Sequence, residues 1–69
     1  MYKYERIIYW SIDDNKFVIV VPELPGCMAD GSTPLEALEN AEIVIKEWIE
    51  TAMDAGKLIP EPKGKVRYA

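Results

Sequence analysis

Histidine is missing from this 69-residue chain, and cysteine occurs once, as Cys27. Without histidine the commonest general base is gone. A structural zinc site would have one soft ligand at best, and an internal disulfide is impossible. The chain has no glycine-rich phosphate loop and no serine in a nucleophile elbow. No apolar run approaches the roughly 18 residues of a membrane span. The start, Met1-Tyr2-Lys3-Tyr4-Glu5, lacks the apolar core of a secretory signal, so a cytoplasmic location is expected. A chain this short buries only about 60% of its unfolded surface. With disulfide and metal both excluded, self-association is the expected source of further stability.

Basic residues are also scarce, and they are unevenly placed. The net charge is −4. Residues 1–56 hold four basic and eleven acidic side chains, a net −7, whereas residues 57–69 hold Lys57, Lys63, Lys65 and Arg67 against Glu61, a net +3. An acidic body is a poor match for nucleic acid. It suits a basic partner, because opposite fields speed encounter.

What is present reads as one α+β domain, residues 1–69, ending in a basic tail with prolines over 57–69. Residues 4–12 are aromatic and β-branched and predict a strand. A polar turn follows over Asp13-Asp14-Asn15-Lys16, and residues 17–21 form a second strand. With the loop at 13–16, Ile12 faces Phe17, Trp10 faces Ile19 and Ile8 faces Val21, giving one apolar sheet face. The other face carries Ile7, Tyr9, Val18 and Val20, which are apolar too. A sheet with one wet face alternates apolar with polar. These four residues are therefore candidates for self-association, as a dimer or tetramer.

The chain then turns at Pro22-Glu23-Leu24-Pro25-Gly26-Cys27. Prolines stop regular structure, and Gly26 allows a sharp change of direction. Pro22, Leu24, Pro25, Gly26 and Cys27 form the corner motif. A short third strand is expected over Cys27–Asp30. The helix start is well marked, with Thr33 as N-cap, Pro34 at the first position and Glu36 completing a capping box. Gly56 marks the stop. The expected helix, Pro34–Ala55, packs on the Trp10/Ile19 face or, alternatively, on the Tyr9/Val18 face. Lys65–Tyr68 either adds a fourth, edge strand or stays loose. The sheet is thus three- to four-stranded and antiparallel, in the order β-β-β-α.

A helical wheel places Ala37, Leu38, Ala41, Val44, Ile45, Trp48, Ile49, Ala52 and Ala55 on one arc. Charged residues lie opposite, with Glu42 and Lys46 spaced as an i,i+4 pair. Glu39, Ile43, Glu47 and Glu50 on that outer arc are the candidate partner-facing residues. Both tryptophans are read as core. Cys27 is read as a small buried apolar side chain, with no cation near it in sequence to lower its pKa. The spaced carboxylates read as a solvated face, not as a metal site, and no cofactor is expected.

The order P-E-L-P-G-C, then A-D-G-S-T, then L-E-A-L-E-N-A on a helix resembles the HicB-like antitoxin family, from about Tyr4 to Pro62. The resemblance implies a degraded ribonuclease H-like fold without enzymatic activity. It implies a non-enzymatic antitoxin that covers the catalytic surface of a small, basic, mRNA-cleaving HicA-type toxin. Longer members carry a C-terminal DNA-binding segment. No room is left for one before Ala69, so direct DNA binding is not expected. The alternative is a standalone oligomeric scaffold with an unidentified ligand. A ribonuclease reading needs carboxylates converging on Mg²⁺, and the strand positions are apolar.

Overall fold

The computed structural model describes residues 3–61 and the backbone of 66–68. The tail residues Pro62, Lys63, Gly64 and Lys65, and the Arg67 side chain, lie outside the described residues. The element order is β1 (Arg6–Ser11), β2 (Lys16–Val20), β3 (Met28–Gly31), α1 (Pro34–Asp54) and β4 (Val66–Tyr68). The sheet runs β3-β2-β1-β4, with β1/β2 and β2/β3 antiparallel. The α+β class and the β-β-β-α order are as expected. The open question of a fourth strand is answered by β4, which pairs parallel to β1. That direction follows from the connection. β3 leads into a helix that carries the chain back along the sheet, so the next strand runs the same way as β3 and β1.

The hairpin register differs from the expected one by two residues. Trp10 pairs with Phe17, Ile8 with Ile19 and Ser11 with Lys16. The loop is Ile12–Asn15, one residue earlier than expected. Asn15 takes the left-handed conformation, φ 55°, which asparagine tolerates. The Asp14 N–H donates to Ser11 Oγ at 3.3 Å. Because side chains alternate with period two, a two-residue slip leaves every residue on its original face. Only Ile12 is displaced; it sits in the turn, 84% exposed, and not on the helix-side face.

The helix packs on the face of Ile8, Phe17 and Ile19. It lies over β3 and β2 more than over β1. Trp10 is therefore 45% exposed and not a core residue; its ring meets Phe17 edge-on, centroids 4.9 Å apart. The core is Tyr4, Ile8, Ile19, Val21, Leu24 and Cys27 from the sheet and corner, against Ala37, Ala41 and Ile45 of α1. Small residues on the helix let it sit close. At Gly31 a Cβ would lie 2.5 Å from the Ala37 backbone nitrogen, so only glycine fits beneath the first turn.

Both helix ends are satisfied locally. Thr33 Oγ1 accepts from the Glu36 N–H at 3.1 Å, and the Glu36 carboxylate reaches back to the Ser32 N–H at 3.1 Å, one residue before the cap. At the other end the Lys57 N–H donates to the Ala52 carbonyl and the Gly56 N–H to the Met53 carbonyl. With Gly56 at φ 71°, this is a Schellman stop. The helix ends at Asp54, with Ala55 as its C-cap. Beyond it Ile59 packs on the core, and Tyr4 donates its hydroxyl to the Pro60 carbonyl at 2.6 Å.

Candidate partner-binding surface

The corner after β2 is two successive reverse turns. The Leu24 N–H donates to the Val21 carbonyl and the Cys27 N–H to the Leu24 carbonyl. In the second turn Pro25 precedes Gly26 at φ 78°, the type II pattern. The Val21 N–H donating to the Cys27 carbonyl closes the unit. Its two inward side chains, Leu24 and Cys27, are buried, while Pro22, Pro25 and Gly26 are exposed. Trp48 of α1 clamps the corner, donating its indole N–H to the Pro25 carbonyl at 2.9 Å. Between corner and helix lies an open hollow of about 630 Å³, with Pro25, Gly26, Val44, Trp48, Thr51 and Ala55 among its walls.

Glu39, Ile43, Glu47 and Glu50 are all exposed on α1, and Ile43 is 56% exposed. At 100° per residue they fall within one arc on the side away from Ala41 and Ile45. Ile7, Tyr9 and Val20 share the sheet face opposite the helix and are half-buried. Val18, in the middle of β2, is only 7% exposed. Tyr9 and Asp30 flank it across the ladder. Lys16 and Asp30, 3.9 Å apart, sit at the rim of that face. These two opposite charges offset each other at that rim.

A second polar feature lies between sheet and helix. Arg6 is 1% exposed, on the same face as Ile8. It pairs with Glu42 of α1 and donates from NH1 to the Tyr4 carbonyl at 3.0 Å. Glu42 is thus turned inward, 34% exposed, and does not belong to the solvated arc. Arg6 is a residue that sequence reasoning passed over. Its alternation with Ile8 and Trp10 was the available signal.

Cys27 is buried, and burial pushes its thiol above the usual range. The Arg6 charge acts in the opposite sense and offsets only part of this. A cation near Cys27 exists in space although none is near in sequence. The thiol nevertheless stays protonated at neutral pH. Among the described residues no group of three His, Cys, Asp or Glu side chains is placed to hold a metal ion, and no helix is long and apolar enough to cross a membrane.

Residues 4–67 match the model of the HicB_like antitoxin of bacterial toxin-antitoxin systems. Two relatives are similar over most of their lengths. UPF0150 protein Ta0767 of Thermoplasma acidophilum is 37% identical over 54 residues, 78% of either chain. UPF0150 protein ssl0259 of Synechocystis is 33% identical over 60 residues, covering 87% of this chain and 82% of the relative. No solved structure matches the chain significantly. With the corner, the capped helix and the family match in agreement along the chain, it belongs to the HicB-like antitoxin family.

Proposed function

We propose that this protein is a non-enzymatic antitoxin that binds a small, basic HicA-type toxin in the cytoplasm and blocks its cleavage of mRNA. One observation carries the reading beyond family membership. The exposed side of α1 is acidic, with Glu39, Glu47 and Glu50 displayed beside an apolar hollow. Such a surface attracts a basic protein and repels RNA. The chain acts as a homo-oligomer, joined through the apolar sheet face of Ile7, Tyr9 and Val20. That division leaves the acidic helix face free for the toxin.

Co-expression tests the function directly. A HicA-type toxin from the same genome arrests growth when expressed alone. Growth should return when this chain is expressed with it, and purified chain should suppress RNA cleavage at equimolar ratio. Persistent arrest and undiminished cleavage, with both proteins soluble, would overturn the reading.

A further inference from the structure

One flank of α1 is bordered by the open edge of the sheet. β3 ends the strand order on that side. The Val21–Cys27 hydrogen bond sets the ladder, so residues 29 and 31 bond inward and Met28 and Asp30 turn their backbone groups outward. Asn40 already caps the Asp30 carbonyl, its Nδ2 donating at 2.8 Å. The Met28 N–H and carbonyl remain at the edge. A hollow of about 370 Å³ lies there, between Met28 and Asp30 of β3 and Ile43 and Val44 of α1. Val44 also lines the hollow at the corner, so the two hollows adjoin along one flank of the helix and together make a trough. From Asn40 to Ala55 it follows about 22 Å of helix. Ile43, about half exposed, forms an apolar lip on the helix side, while Met28, opposite Val20 in the ladder, lends its backbone to the edge and turns its side chain to the far sheet face.

The charges around this trough are mostly acidic. Glu39, Glu47, Glu50 and Asp54 are exposed on the helix, against Lys46 and Lys57. A second copy would bring its own acidic body, net −7 over residues 1–56, against these carboxylates. Like charges facing each other cost affinity. We infer that the trough docks an extended basic segment of a protein partner, which adds to the β3 edge and places an apolar side chain against Ile43 and Val44. Main-chain pairing supplies affinity in such docking, and side-chain pockets supply specificity. This assignment rests on the antitoxin reading and identifies the surface that reading requires.

The test uses the full chain and two probes: a HicA-type toxin, and a synthetic decapeptide of alternating lysine and leucine. The double variant Ile43→Lys/Glu47→Lys alters only exposed positions, and circular dichroism checks its fold. Asp13→Lys/Asp14→Lys in the hairpin turn controls for bulk charge. The trough variant should weaken both probes at least about tenfold, with the turn variant changing affinity less than about twofold. Equal losses from the two variants, or undiminished binding to the trough variant, would overturn the inference. If the toxin does not bind the parent chain, the antitoxin reading fails and the peptide comparison alone decides the trough. If neither probe binds the parent, the trough assignment is wrong as well.

Discussion

The Trp48 indole donates to the Pro25 carbonyl at 2.9 Å, tying the middle of the helix to a turn 23 residues earlier in the chain. The bond holds one wall of the trough in place, because Pro25 and Trp48 both line it. Trp48→Phe removes the donor and keeps most of the ring. It should cost about 1 kcal/mol in urea melts. Trp48→Ala also loses packing. It should cost about 2–4 kcal/mol, toward or below the low end for a fully buried tryptophan, because Trp48 is only half-buried. Equal melts for Trp48→Phe and the parent would mean the bond contributes nothing.

Arg6 and Glu42 should behave as a coupled pair. Glu42→Gln leaves the buried guanidinium with a weaker partner. It should cost about 2 kcal/mol, below the range for fully buried pairs because Glu42 is partly exposed. The double variant Arg6→Met/Glu42→Gln should be more stable than Glu42→Gln alone. A double variant less stable than Glu42→Gln would show that the ion pair is not the source of the effect.

Gly26 of the corner and Gly31 at the end of β3 should respond differently. Gly31→Ala drives a Cβ into helix backbone that cannot yield, so a loss of about 2–3 kcal/mol is expected. Gly26→Ala meets open space but holds φ 78°, and should cost about 1 kcal/mol. Thermal melts that rank Gly26→Ala as the more damaging change would contradict the close approach seen at Gly31.

Cys27 gives a pH signature. Its folded pKa is raised by burial, so its stabilising contribution is present below the unfolded thiol pKa, about 8.5. It is lost as pH rises through the higher folded value. Comparing the parent with Cys27→Ala between pH 7 and 10 isolates this loss from other alkaline titrations. The parent should lose stability faster. Thiol reagents should react with native protein no faster than it opens. Rapid labelling at pH 7 would contradict the burial.

Self-association through the sheet face predicts at least twice the 7.9 kDa chain mass in sedimentation equilibrium at micromolar concentration. Val20→Lys should weaken it, and Glu50→Lys should not. A folded parent that sediments as a monomer would remove the need for any sheet-face interface.

Several features were legible in the sequence because their causes lie within a few residues. Thr33, Pro34 and Glu36 start the helix, and Gly56 ends it, because caps and left-handed stops are local chemistry. The period of two placed Ile8, Trp10, Phe17 and Ile19 on one face in both the expected and the observed register. The corner announced itself through Pro22, Pro25 and Gly26. Family membership was legible as well, since it resides in the order of those same motifs.

Only the tertiary structure decided how these pieces meet. The hairpin closes one residue early because Ser11, Asp14 and Asn15 fit the turn there, and a two-residue slip costs nothing in face pattern. β4 pairs parallel because a helix, and not a hairpin, precedes it. The helix lies over β3 and β2, which leaves Trp10 half in solvent and brings the Gly31 backbone against Ala37. Arg6 is buried because Glu42, 36 residues away, meets it across the layer. The trough likewise exists only where β3, the corner and α1 come together. Local propensity does not encode such contacts; they follow from the packing that closes the chain on itself.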